Sequence, residues 1–247
     1  MKDIIDTIVI IGTQRSGTTW LMQVLSQEPT FRVYGEVFRE IRSDQFKGDP
    51  ALRPNMFYLE YCEAKQDKSA MSYVSEVLAE PNKTTVLKLM YDQVRRAPRL
   101  RKLLSSPNVL VINVERINIF EIALSKSIAR YTGVYHSSGD SQVKEFPLPY
   151  QTVYRLMMQE KIKQIICPPL VKWYSKHYYY FSYEELVSNI SLIQDALKQH
   201  FSHSLVIFDA KSTKWKKTSQ SNKYSAIKNF DEINSRLSNS VFREYVK

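Results

Sequence analysis

The residues best suited to chemistry lie near the start of the chain, in "IVIIGTQRSGTTWL". A β-branched apolar run ends at Gly12, and apolar residues at helical spacing resume at Trp20, so the polar stretch between them predicts a strand–loop–helix turn. Backbone N–H groups at such a turn bind anions, glycines permit the tight path, and hydroxyls and a cation add donors. The candidate anion-binding residues are Arg15, Ser16, Gly17, Thr18 and Thr19.

The loop differs from an ATP- or GTP-binding loop at one decisive position. Such loops place Lys directly after the second glycine, whereas Thr18 follows Gly17 here. The residues of the loop alone therefore leave open which phosphate it would hold. The plain alternative is a turn without a ligand.

A second candidate segment is "NVLVINVERINIFEIALS", in which Arg116 follows an apolar run and Ser125 lies nine positions later. Ligands of parallel sheets gather at the carboxyl ends of strands, so Arg116 is well placed to meet an anion. Two ordinary explanations remain open. Arg116 can form an ion pair with Glu115 or Glu121, and Ser125 can be a helix residue without a ligand.

Together these segments resemble the sulfotransferases that use 3′-phosphoadenosine-5′-phosphosulfate (PAPS), most closely the bacterial and Golgi carbohydrate enzymes. "QRSGTTWL" resembles their 5′-phosphosulfate loop, and "ERINIFEIALS" resembles their 3′-phosphate segment. "VLKLMYDQV", "FSYEELV" and, more weakly, "KKTSQSNKYSAIKNFDEI" resemble further parts of the same enzymes.

The resemblance implies a role for each matching residue. Residues 15–19 would hold the 5′-phosphosulfate, with Arg15 supplying the charge, and Arg116 and Ser125 would bind the 3′-phosphate. One or more of Lys214, Lys216 and Lys217 would cover that phosphate. PAPS would be the sulfuryl donor and adenosine 3′,5′-bisphosphate the product. Such transfer depends on in-line positioning and charge stabilisation, so no metal is expected.

The general base is the part of the resemblance that departs from the cytosolic small-molecule enzymes. Those enzymes place a His shortly after the Lys of a central strand, but the run here is Lys88-Leu89-Met90. Several bacterial carbohydrate enzymes instead place a carboxylate after the second strand, and Glu36 occupies that place. We therefore expect Glu36 to act as the base and Lys88 to stabilise the leaving oxygen, with His136 in reserve. The ordinary alternatives are that Glu36 is a loop carboxylate and Lys88 a strand-end lysine, each without a catalytic role.

The remaining sequence predicts the elements that position these residues. Short apolar strands at 7–12, 31–36, 84–90 and 108–115 alternate with helical patterns, which indicates a three-layer α/β/α fold with a mostly parallel sheet. Helices are expected at 150–166 and 169–177, and a long lid loop at 132–150. At 247 residues the chain is expected to form one domain, 1–247.

The composition limits the kinds of partner that the protein is expected to bind but does not identify one. A net charge of +10 favours an anionic partner, and two cysteines and no membrane-length apolar run favour the cytoplasm. The expected acceptor is a carbohydrate or another hydroxyl-bearing molecule. No nucleic-acid partner is expected, and the oligomeric state is not predicted. The alternatives are an ATP-dependent kinase and a non-enzymatic polyanion-binding module. The basic run 95–104 is interpreted as a solvated helix face, with a surface for an anionic substrate as the alternative.

Overall fold

The structure is a computed structural model that describes residues 4–46, 49–132, 145–202, 205–210 and 227–246. The chain divides into two compact units, and the division falls once within a long helix, between Ile166 and Cys167. The first unit comprises Met1–Glu115 and Cys167–Thr213, and the second comprises Arg116–Ile166 and Lys214–Lys247. The expectation of a single domain over 1–247 stays a prediction.

The first unit is built on a parallel sheet of five strands among the described residues, in the order β2-β3-β1-β4-β5. The strands are β1 (Thr7–Gly12), β2 (Phe31–Val33), β3 (Thr84–Met90), β4 (Val109–Glu115) and β5 (His177–Ser182). β1 lies at the centre because its residues are apolar on both faces and all buried. Helices pack on both faces, so the predicted three-layer α/β/α fold is confirmed.

The described helices connect and cover these strands. They are α1 (Thr18–Leu25), α2 (Tyr58–Lys65), α3 (Ala70–Tyr73), α4 (Tyr91–Arg96), α5 (Pro98–Leu104), α6 (Ile119–Thr132), α7 (Tyr150–Tyr174), α8 (Tyr183–Ser188), α9 (Ser191–Lys198) and α10 (Phe230–Ser238). Short 3-10 turns cover Ser43–Gln45, Pro50–Leu52 and Arg243–Tyr245, and a π-helical turn covers Val74–Leu78.

Strand alternation assigns the first unit's side chains to two cores. On one face, Leu87 and Leu89 of β3 pack with residues of α2 to α5. On the other face, Val86 of β3 and Ile112 of β4 pack with α1, α8 and α9. Because side chains alternate along a strand, Lys88 belongs to the same face as Val86, which is the face that α1 covers.

The second unit has its own apolar cluster, formed by α6, the first part of α7 and α10. Its chain segments are tied by Asn229, whose side chain accepts from Leu148 N at 2.8 Å and donates to Leu148 O at 3.0 Å. Phe146 and Ile227 form a parallel bridge next to this pair.

Two predicted elements differ from the structure. The expected helices 150–166 and 169–177 are one helix, α7, which ends at Tyr174 and carries Pro168 and Pro169 inside it. A proline ordinarily interrupts a helix because it lacks an N–H, but buried contacts of neighbouring residues such as Val171 hold this helix together. The second strand ends at Val33 rather than at 36. No helix in the described parts of the chain is both long and apolar enough to cross a membrane.

Candidate active site

The predicted anion loop joins β1 to α1 in a conformation that exposes the helix N-terminus. Gly17 is the N-cap of α1 with φ +93°, and no side chain of the described residues caps the helix there. The Ser16 hydroxyl donates to Thr13 O at 2.9 Å and is fully buried, so this serine tightens the loop from within. Within the described part of the chain, the first N–H groups of α1 are left for another acceptor, which is the arrangement that binds phosphate or sulfate groups.

Close neighbours leave no room for a side chain at either loop glycine. A Cβ at Gly12 would lie 2.4 Å from Val114 O, and a Cβ at Gly17 would lie 2.1 Å from a ring carbon of Tyr183. The Tyr183 ring, at the start of α8, therefore packs directly on the loop. It also meets Trp20 edge to face, with ring centroids 5.6 Å apart. No sequence pattern indicates that Tyr183 reaches the loop, although "FSYEELV" is among the segments that resemble the family.

Lys88 is held beside this loop by strand pairing. It pairs with Ile10 in the parallel register of β1 and β3, and only 8% of its side chain is exposed. Its ammonium lies 3.1 Å from Thr19 Oγ1 of α1 and 2.9 Å from Glu36 Oε1. A lysine ammonium has three donors, and these are the two contacts that Lys88 makes with the described residues. One N–H thus remains for a ligand oxygen.

Glu36 reaches Lys88 because backbone pairing continues past the end of β2. Tyr34 N donates to Val86 O at 2.7 Å, and Lys88 N donates to Gly35 O at 3.4 Å, which keeps Glu36 level with Lys88. The second carboxylate oxygen of Glu36 lies 4.0 Å from Arg39 Nε, and 26% of the side chain is exposed. This carboxylate contacts a buried cation and is partly open to solvent, so a ligand hydroxyl could reach it.

Arg116 and Ser125 belong to the second unit. Arg116 Nη2 lies 3.4 Å from Glu121 Oε2, and each side chain is 15% exposed. The Arg116 backbone is anchored by Gln164 of α7, whose amide donates to Arg116 O at 2.7 Å. Asn118 caps the start of α6 by accepting from the N–H groups of Phe120 and Glu121 at 3.1 and 3.2 Å. Ser125 lies nearly two turns along α6 and is half-buried.

The profile of the sulfotransferase family matches residues 7–201, most of the chain. The chain belongs to the sulfotransferase family. The matched residues include the anion loop, Glu36, Lys88, Arg116 and Ser125. No curated protein sequence matches the chain.

Solved structures of other sulfotransferases resemble this one at low identity. A sulfotransferase from Alicyclobacillus acidocaldarius is 14% identical, covers 96% of this chain and 95% of its own, and gives a TM-score of 0.46. The sulfotransferase domain from the curacin biosynthetic pathway is 15% identical, with 95% and 98% covered and a TM-score of 0.40. A mouse sulfotransferase complexed with PAP is 14% identical, with 100% and 92% covered and a TM-score of 0.39. At these values the likenesses say nothing about the acceptor.

Membership of the sulfotransferase family makes this chain an enzyme that uses PAPS as its sulfuryl donor, as the resemblance implied. It decides against the kinase and the non-enzymatic module. The open N-terminus of α1 and the remaining donor of Lys88 suit a phosphosulfate group, and Arg116 suits a phosphate. Within the described residues, no group of three or more His, Cys, Asp or Glu side chains could hold a metal ion.

Some predicted residues of this sulfotransferase lie outside the described residues. These are Lys214, Lys216 and Lys217, expected to cover the 3′-phosphate, and His136, the reserve base. Most of the expected lid at 132–150 lies outside them as well. Their roles stay predictions.

One buried polar network of the sulfotransferase was not predicted. Glu115, 4% exposed at the end of β4, accepts from the Tyr91 hydroxyl at 2.9 Å and from the Tyr180 hydroxyl at 3.1 Å. The Tyr91 hydroxyl also contacts Asn113 Oδ1 at 2.5 Å, and desolvation raises the pKa of Tyr91 far above its usual range. Because Asn113 and Glu115 alternate with Ile112 and Val114, this network faces away from α1 and Lys88. The period-two placement of polar residues in "INVE" was the available signal.

Proposed function

We propose that this sulfotransferase transfers the sulfuryl group of PAPS to a carbohydrate hydroxyl, with Glu36 as general base and Lys88 as the neighbouring cation. The observation that carries the proposal is the contact of Lys88 with both Glu36, at 2.9 Å, and Thr19 of the anion loop, at 3.1 Å. It brings a base, a cation and the start of α1 together within the first unit.

Glu36 would remove the proton of the acceptor hydroxyl. Its side chain is 26% exposed, which leaves the carboxylate accessible to an acceptor hydroxyl. Proton transfer to a positioned carboxylate contributes roughly 10²–10⁴-fold to rate in enzymes. The released oxygen would then form the new bond to sulfur.

Lys88 would stabilise the oxygen that carries negative charge as the old bond to sulfur breaks. Its burial strengthens this effect, because a charge acts more strongly where water is excluded. PAPS supplies the activated sulfuryl group, and adenosine 3′,5′-bisphosphate leaves with the electron pair. Arg15, Ser16, Gly17, Thr18 and Thr19 would hold the 5′-phosphosulfate, Ser16 through its backbone because its hydroxyl is already used.

Arg116 and Ser125 would bind the 3′-phosphate, with Lys214, Lys216 or Lys217 completing that site. Arg116 presents a planar fork that can hold two phosphate oxygens at once. The Gln164 contact fixes the Arg116 backbone and so reduces the freedom that binding must remove.

A carbohydrate acceptor is supported by two features of the chain. The histidine that small-molecule sulfotransferases place after the central lysine is replaced by Met90, and a carboxylate stands beside Lys88 instead. A cytoplasmic location is part of the proposal and rests on the low cysteine content.

The test is transfer of radiolabelled sulfuryl from PAPS to a panel of neutral and acidic oligosaccharides, phenols, sterols and amines. We expect label in one or more oligosaccharides, and its loss in Glu36→Gln but not in the matched control Glu40→Gln, an exposed glutamate four residues on. Transfer to phenols or sterols alone would overturn the carbohydrate assignment. Full turnover by Glu36→Gln would remove Glu36 as base.

A further inference from the structure

Arg116, the residue proposed to bind the 3′-phosphate, already has a carboxylate beside it. Its Nη2 atom lies 3.4 Å from Glu121 Oε2, and each of the two side chains is 15% exposed. Water therefore screens this pair less than it screens a surface pair of the same unit such as Arg236 with Glu232, whose side chains are 49% and 58% exposed. A negative charge lies next to the cation that is expected to meet a negatively charged ligand.

Helical spacing places Glu121 and Ser125 on the same face of α6. They are four positions apart, and residues at that spacing are neighbours on successive turns of a helix. The three residues between them are buried, whereas Glu121 and Ser125 are both partly exposed, so a ligand can reach this face. A phosphate held by Arg116 and Ser125 would consequently lie close to the Glu121 carboxylate.

Both members of this ion pair are anchored through the backbone. Gln164 of α7 donates to Arg116 O at 2.7 Å, and the N–H of Glu121 donates to the Asn118 side chain at 3.2 Å. These contacts hold the main chain in place at either end of the pair. The carboxylate can therefore leave Arg116 only by rotation of its own side chain, and its charge stays close to the guanidinium.

We propose that Glu121 competes with the 3′-phosphate for Arg116 and so limits the affinity of the sulfotransferase for its nucleotide. This inference rests on the proposed 3′-phosphate site and deepens it. A guanidinium has five N–H donors and can contact two anions at once. The Glu121 charge nevertheless repels a bound phosphate, because the two anions would share one cation at close range.

A competing carboxylate at this position would favour release of the product. PAPS and adenosine 3′,5′-bisphosphate carry the same 3′-phosphate, so an interaction there strengthens or weakens the binding of both. Tighter binding of both nucleotides does not speed the chemical step, but it slows departure of the bisphosphate. Product release limits turnover in many enzymes. The charge of Glu121 would keep that departure fast.

A purely structural role of Glu121 predicts a different outcome. Glu121 lies in the first turn of α6, where a negative charge stabilises a helix by interacting with its positive N-terminal end. If that were its only role, removal of the charge would lower the melting temperature and leave nucleotide affinity unchanged or weaker. The competing role predicts tighter nucleotide binding, which the loss of a stabilising contact does not produce.

The experiment titrates full-length variants with adenosine 3′,5′-bisphosphate and with adenosine 5′-monophosphate, which has no 3′-phosphate. Glu121→Gln removes the charge and keeps an oxygen that can accept from Arg116. Glu121→Asp keeps the charge. Glu232→Gln is the matched control, because it removes the charge of a glutamate paired with Arg236 and changes the net charge of the protein equally. Thermal melts check that each variant is folded, and surface plasmon resonance gives the dissociation rate of the bisphosphate.

We expect Glu121→Gln to bind the bisphosphate about threefold or more tightly than wild type, with slower dissociation, and to bind the monophosphate as wild type does. Glu121→Asp and Glu232→Gln should both stay within about twofold of wild type for the bisphosphate. Unchanged or weaker bisphosphate binding by Glu121→Gln would overturn the inference. Equal tightening of both nucleotides, or equal tightening in either of the other two variants, would overturn it as well.

Arg116→Ala separates failure of this inference from failure of the proposed function. Weaker bisphosphate binding in Arg116→Ala, together with no tightening in Glu121→Gln, would overturn only the role of Glu121. Unchanged bisphosphate binding in Arg116→Ala, or no binding by the wild type, would remove the proposed 3′-phosphate site and the role of Glu121 with it.

Discussion

The Lys88 ammonium lies 2.9 Å from the Glu36 carboxylate although the two residues are 52 positions apart in the chain. Their contact follows from the parallel pairing of β2 with β3, in which Val33 pairs with Val86. Three residues beyond Val33, and two beyond Val86, the two charged side chains stand side by side. The ion pair is therefore a product of strand register, and it should behave as one functional unit.

A double-mutant cycle tests that unit. We expect Glu36→Gln and Lys88→Met each to lower kcat by roughly 10²-fold or more, because one removes the base and the other a buried cation near the developing charge. The double variant should lose little more than the worse single variant, since residues that act together are not additive. Steady-state kinetics with a glycan acceptor provide the measurement. Strictly multiplicative losses would show that the two side chains act independently.

Arg116→Ala should weaken binding of adenosine 3′,5′-bisphosphate by roughly 10- to 100-fold, the effect of losing charge-assisted hydrogen bonds worth ~1.5–3 kcal/mol. Affinity for adenosine 5′-monophosphate, which has no 3′-phosphate, should change little. Calorimetric titration of both ligands separates the two cases. Equal weakening of both nucleotides would mean that Arg116 supports the fold and does not read the 3′-phosphate.

Gly17→Ala should abolish binding of the bisphosphate and lower the melting temperature. Its φ of +93° is strained for any residue with a Cβ, and that Cβ would lie 2.1 Å from the Tyr183 ring. Gly35→Ala is the matched control, because its Cβ would meet nothing closer than 3.7 Å. Thermal melts and bisphosphate titration compare the two variants. A Gly17→Ala protein that binds like wild type would show that the loop is not held against Tyr183 in solution.

The elements of this fold that depend on local pattern were predictable from the sequence. The strands at 7–12 and 84–90 match β1 and β3 residue for residue because apolar runs of that length have few alternatives. The continuous helix α7 was not predicted, because proline argues for a break and only tertiary packing overrides that preference. Strand order and register could not be predicted from the sequence either, since they depend on contacts between distant segments.

The candidate site likewise has features that could be predicted from the sequence and features that could not. The loop residues were predicted from type and spacing, and Lys88 and Glu36 from the resemblance to the family. The sequence could not show that the Ser16 hydroxyl turns inward to Thr13, or that Tyr183 covers Gly17. Such contacts depend on the path of the folded backbone. Gln164 was missed for the same reason, because it reaches Arg116 across 48 positions.

The start of α8 carries a capping box whose contribution should depend on pH. The Ser182 hydroxyl accepts from Glu185 N at 3.1 Å, and the Glu185 carboxylate accepts from Ser182 N at 3.0 Å. The Ser182 backbone N–H and then its hydroxyl lower the pKa of Glu185 below its usual value. A carboxyl with a lowered pKa in the folded state stabilises the fold above its unfolded pKa of about 4.3, and loses that effect as pH falls through the folded pKa.

Two substitutions separate the parts of this cap. Ser182→Ala should cost ~1 kcal/mol at pH 7, or about 2–4 °C in Tm for a chain of this size, while Ser188→Ala, near the exposed end of the same helix, should cost less. Glu185→Gln should cost less than Ser182→Ala at pH 7, because Glu185 is exposed and its charge is screened. The Tm difference between wild type and Glu185→Gln should shrink as the pH is lowered below about 4. Thermal melts across this range provide the measurement, and a difference that stays constant with pH would mean that the Glu185 charge does not contribute to the cap.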